Sequence, residues 1–104
     1  MNTVIYKLTR RENERFFAYC YEYVVDRETD QMLYGVRYKQ WCDDAFGERF
    51  AIKKQDVNTL QRFRANFNGW FYEVFVEADN WEDAKNKAKH MIDEYIKLSS
   101  HQGV

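Results

Sequence analysis

The sequence predicts an α+β fold: a mainly antiparallel sheet of four to five strands with two helices packed on one face. Three observations carry this reading. Aromatic residues make up 18% of the chain, and many fall in runs that alternate with period two, the pattern of half-buried strands. Strand-like runs come mainly first and helix-like runs mainly last, in the order β-β-β-(β)-α-β-α, which favours α+β over an alternating α/β architecture. Proline is absent and only four glycines occur, so no flexible linker divides the chain. Residues 1–98 are expected to form a single domain, with 99–104 as a frayed tail.

The first expected strand is residues 3–9, where Val4, Tyr6 and Leu8 share one face. Residues 15–25 form the most strand-like run. Phe17, Tyr19, Tyr21, Tyr23 and Val25 line one side, and Phe16, Ala18, Cys20, Glu22 and Val24 the other. Phe16, Phe17, Cys20, Tyr21 and Val24 also fit a helical stripe, but aromatic and β-branched residues dominate and favour the strand. Asp26 to Asp30 has turn chemistry, and residues 31–39 resume as a strand, so the second and third strands read as a hairpin. Gln40 to Gly47 reads as a loop or helical turn, and Glu48 to Lys54 as a short fourth strand with Phe50 and Ile52 inward.

A helix is expected from Asp56 or Asn58, both good N-caps. Val57, Leu60, Phe63 and Phe67 follow at helical spacing, and Asn68-Gly69 supplies a stop. Trp70 to Glu77 alternates again. The terminal helix has the fullest signature. Asn80 caps it, Glu82 and Asp83 suit the dipole in its first turn, and Trp81, Ala84, Ala88, Met91, Ile92, Tyr95 and Leu98 form an apolar side. The stretch V-E-A-D-N-W-E-D-A-K-N-K-A-K resembles a strand-into-helix ending found in many small bacterial and phage proteins. That device is shared by unrelated families and implies no function. With the chain's size, it is the sole ground for expecting a phage or mobile-element accessory protein.

Sixteen basic and seventeen acidic residues give a net charge of −1, which argues against a protein that binds nucleic acid over its whole surface. The charge is uneven. Residues 49–64 hold five cations (Arg49, Lys53, Lys54, Arg62, Arg64) against Asp56, a balance of 5 − 1 = +4. Residues 16–48 hold three basic against seven acidic residues, a balance of −4. No window approaches the roughly 18 apolar residues needed to span a bilayer, and the N-terminus lacks a signal-peptide pattern. The expected location is cytoplasmic, with Cys20 and Cys42 reduced.

Enzyme and metal chemistry find no positive support. Cys20, Cys42, His90 and His101 have no ligand spacing. Asp43 and Asp44 beside Cys42 disfavour a thiolate. Asp43, Asp44 and Glu48 match no cation-binding loop and read as a solvated acidic loop. There is no G-x-S-x-G and no glycine-rich phosphate loop. The expectation is therefore no catalytic residue, no cofactor and no metal.

Binding of another macromolecule remains. Tyr, Trp and Arg are the anchors interfaces favour. One sheet face is expected to be half apolar and open, with Glu22, Arg37, Lys39, Glu73 and Glu77 beside Phe16, Leu33, Phe71 and Phe75. Phe16, Leu33, Arg37, Trp41, Phe71 and Phe75 are the candidate contacts with another protein or with a second copy in a homodimer. The chain is thus read as a small regulator or inhibitor of another protein. The alternative is a nucleic-acid-binding accessory protein, with Arg49, Lys53, Lys54, Arg62 and Arg64 on phosphates and interleaved phenylalanines on bases.

Overall fold

A computed structural model describes residues 3–39, 47–65, 67 and 69–102. Six strands and one helix follow in order: β1 (Val4–Arg11), β2 (Tyr19–Glu28), β3 (Met32–Lys39), β4 (Glu48–Lys53), a 3-10 turn (Lys54–Asp56), β5 (Thr59–Arg64), β6 (Trp70–Glu77) and α1 (Trp81–Gln102). The α+β class holds, and every strand pairing is antiparallel. Two expectations are corrected: there are six strands among the described residues, and one α-helix instead of two.

The second expected helix is the strand β5. The apolar residues Val57, Leu60, Phe63 and Phe67 do fit a helical stripe, and Thr59–Arg64 shows no period-two alternation; pairing decides the outcome. Thr59 to Arg64 lies opposite Phe75 to Trp70 of β6, so its backbone groups are satisfied by a neighbour. The two residues read as N-caps serve turns. The Asn58 carboxamide accepts a hydrogen bond from the Glu77 amide, and Asn58 itself is left-handed at φ 60°. Gly69, expected to stop a helix, sits at φ +84° beside the β5–β6 turn, where the Ala65 amide bonds to its carbonyl.

The sheet order is β4-β3-β2-β1-β6-β5. The two edge strands, β4 and β5, are consecutive in the chain and joined only by residues 54–58. Lying flat, the edges would be five strand spacings apart, about 24 Å. Even fully extended the connector would span only about 20 Å, and it contains a 3-10 turn that shortens it further. The sheet must therefore curl, bringing its two edges towards each other at the connector end. A bulge between Val25 and Arg27 helps bend β2. Beside it, Gly35 has no room for a side chain: a Cβ there would overlap the Val24 carbonyl oxygen.

Curling gives the sheet two small cores. On the convex side, α1 lies against β6 and β1, and Ala84, Ala88 and Ile92 close over Leu8, Val74 and Val76. The small alanines let the helix approach the sheet closely. Asn80 accepts a hydrogen bond from the Asp83 amide as the helix begins, satisfying a donor that has no intrahelical partner. On the concave side, Ile5, Tyr23, Val25, Leu33 and Ile52 bury one another at the connector end, with Phe50, Val57 and Phe75 against them. The helix runs through Gln102, past the expected limit at Leu98. No helix among the described residues is long and apolar enough to cross a membrane.

Candidate protein interface

The helix-free face is built from alternate residues of five neighbouring strands. Register places Lys7 opposite Tyr21 on one side and Phe75 on the other. It places Thr9 between Tyr19 and Glu73, and Arg11 beside Phe71. Phe63 lies opposite Phe71, and Tyr23 lies opposite Arg37. Away from the connector the face opens into a cleft of about 360 Å³, lined by Lys7, Thr9, Tyr19, Tyr21, Phe63, Ala65, Phe71 and Glu73.

Register also corrects the expected composition of this face. Glu22 lies opposite Tyr6, on the helix side. In its place come the tyrosines of β2, which sequence reading left unassigned between core and surface. Period-two alternation separates the two sides of one strand, but it cannot say which side of the next strand joins them.

The face is aromatic with cations set among the rings, Lys7 in the cleft itself. The Lys7 ammonium lies 4.8 Å from the Tyr21 ring centroid and 5.9 Å from that of Phe75. The Arg37 guanidinium lies 5.0 Å from the same Tyr21 ring centroid, and that of Arg11 lies 5.8 Å from the Phe71 ring centroid. Such contacts are favourable because the ring face carries partial negative charge. Phe63 and Phe71 stack at 5.6 Å, and Tyr23 meets Phe50 edge-on at 4.8 Å. Burial raises the Tyr23 hydroxyl above its ordinary pKa, against the opposing pull of the hydrogen bond that its oxygen accepts from Arg37. Arg37 is itself held by Glu48, which raises its pKa further. Tyr19 is 50% exposed and Phe63 36%, so two rings at the mouth are available to a partner.

The expected contact residues scatter. Arg37 and Phe75 are half-buried on this face. Leu33 and Phe71 also belong to it, but both are buried, at 7% and 6% exposure, and act as its floor. Phe16 precedes β2 and is exposed off the sheet. Trp41 lies outside the described residues. Lys7, Tyr19, Tyr21 and Phe63 were not among the protein contacts expected from sequence. Lys7 did carry a signal, as the polar residue on the non-core side of an apolar strand.

The basic segment is divided among β4, the connector and β5. Arg49 makes two hydrogen bonds to Asp26, at 2.7 and 3.3 Å, and these hold the Asp26 carboxyl below its ordinary pKa. Lys54 pairs with Glu28 at 2.8 Å. Arg62 binds Glu12 through both oxygens and lies 4.0 Å from the Trp70 ring centroid. Lys53 and Arg64 are exposed and have no ion-pair partner among the described residues.

Comparisons with protein-family models, curated proteins and solved structures gave no match. No three His, Cys, Asp or Glu side chains among the described residues are grouped to hold a metal ion. Cys42, Asp43 and Asp44 lie outside the described residues. Cys20 is buried at 1% exposure. Burial, with Glu22 nearby, pushes its thiol up to about 12, so it stays protonated and non-nucleophilic near neutrality.

Proposed function

We propose that this protein is a non-enzymatic interaction module that regulates or inhibits another protein, with the helix-free cleft as its contact surface. The observation that carries this reading is the open aromatic cleft, where Tyr19 and Phe63 stand exposed over a buried Phe71 floor. Rigid aromatic rings bury large area at low entropy cost, which is why they anchor protein interfaces. The alternative, phosphate binding through residues 49–64, is weakened because Arg49, Lys54 and Arg62 already hold carboxylates. Each would have to exchange a carboxylate for a phosphate, which reduces the gain from counterion release.

The test is capture from native cells with the full chain as bait, followed by nuclease digestion. A specific protein should remain bound after digestion and be lost with the double variant Tyr19→Ala, Phe63→Ala, whose fold is checked by circular dichroism. Release by nuclease would favour the nucleic-acid alternative. Retention by the double variant would remove the cleft from the interface.

A further inference from the structure

We infer that the partner is engaged as an extended acidic segment that adds to the free edge of β5; this rests on the protein-binding reading above. The phase of the β5–β6 ladder identifies the free groups. The Ala65 amide donates to the Gly69 carbonyl, and antiparallel pairs alternate between bonded and non-bonded. Phe63, Gln61 and Thr59 therefore turn their backbone groups towards β6. The N–H and C=O groups of Leu60, Arg62 and Arg64 turn outward. The next ladder agrees, since the Glu12 amide donates to the Trp70 carbonyl, so Trp70 turns towards β1 and away from Arg64.

β5 is the last strand of the sheet, so these outward groups have no strand partner among the described residues. They alternate donor and acceptor, the pattern another polypeptide strand completes. A nucleic-acid backbone offers acceptors at its phosphates and would leave the carbonyls unmatched.

Charge selects the kind of strand. Thr59–Arg64 contains no acidic residue. Arg62 and Arg64 flank the edge on the helix side; Arg62 already holds Glu12, whereas Arg64 has no ion-pair partner among the described residues and is the cation left to meet a partner's carboxylate. Lys53, where β4 meets the connector, is also exposed and has no ion-pair partner among the described residues. A second copy of β5 added antiparallel would gather the same arginines, and like charges across strands destabilise. An acidic strand meets complementary charge. Its other side chains would lie on the cleft side, next to Phe63. A groove between α1 and the start of β5, lined by Asn58, Val76, His90 and Met91 among others, gives room beside the acidic side.

The experiment uses the full chain with a synthetic peptide of alternating Glu and Val, and a Lys–Val peptide as control. Amide chemical shifts and hydrogen exchange are the readouts. The Glu–Val peptide should perturb and protect the amides of Leu60, Arg62 and Arg64, and the Lys–Val peptide should not. Two variants separate charge from strand pairing. Arg64→Ala removes the charge. Arg64→Pro removes the charge and the outward N–H, and proline is tolerated at an edge position whose N–H faces away from the sheet. Arg64→Pro should bind about fivefold more weakly than Arg64→Ala, the worth of one hydrogen bond. Equal affinity of the two variants, shifts confined to other elements, or no shifts at millimolar peptide would each overturn the inference. If a nuclease-resistant native partner is captured equally by Arg64→Pro, strand addition fails while the protein-binding reading stands. If no such partner is captured, that reading fails first.

Discussion

Ile92 and Ile96 offer a test of the helix packing in which the chemistry is held constant. Both lie on α1, one turn apart, and both become alanine. Ile92 is 0% exposed and Ile96 is 39% exposed. The substitution removes the carbons beyond Cβ, worth roughly 0.8 kcal/mol each when fully buried, or about 2.4 kcal/mol in all. At position 92 the hole is enclosed by α1 and the sheet, so a cavity contribution adds to this, for a total of about 3–4 kcal/mol. At position 96 solvent fills the gap, and about three-fifths of the transfer contribution remains, roughly 1.5 kcal/mol. Alanine favours a helix over isoleucine by a few tenths of a kcal/mol, equally in both variants, so that gain cancels in their difference. Urea denaturation should show Ile92→Ala less stable than Ile96→Ala by about 2 kcal/mol with unchanged slope. Equal losses, or a larger loss at 96, would show that α1 is rotated or displaced from the β1–β6 surface.

Two further expectations follow from the titrating groups. Cys20, buried and protonated, should react with iodoacetamide far more slowly in the native protein than in denaturant; native rates equal to those of the unfolded chain would place it at the surface. Asp26 is held below its ordinary pKa of 3.8 chiefly by its hydrogen bond from Arg49. Asp83 is held below the same value chiefly by the Asp79 amide. A depressed folded value contributes stability that is complete above the unfolded value and lost as pH falls through the folded one. Asp26→Asn and Asp83→Asn should therefore be less stable than the parent at neutral pH, with the gap closing as pH falls below about 4. A melting-temperature gap that stays constant or widens in acid would contradict these assignments.

Several elements could be read from local pattern. β6 and α1 begin where the sequence placed them because alternation, cap and charged first turn agree there. β1, β3 and β4 were legible from period two alone. β2 begins later than expected, at Tyr19. Arg15 to Ala18 has strand-like composition but is mostly exposed, and only Phe17 turns into the core. The candidate site was less legible. Arg37 and Phe75 were found, but Lys7, Tyr19, Tyr21 and Phe63 join the face through register alone.

The sequence by itself determined the α+β class, the terminal helix with its buried Ala84, Ala88 and Ile92 (the expected Tyr95 and Leu98 are exposed), and the clustering of positive charge in residues 49–64. These depend on neighbours within a few positions, where backbone period and side-chain type act together. Tertiary structure decided the rest. Leu60 and Phe63 suit a helix as well as a strand, and β5 is a strand because β6 supplies hydrogen bonds to its backbone. Glu22 moved to the helix side because strand phase is set by pairing across the sheet. The basic segment became the two outermost strands of the described sheet and their connector, an arrangement set by which strands pair. Each outcome depends on contacts between residues far apart in the chain, and local periodicity carries no information about those distances.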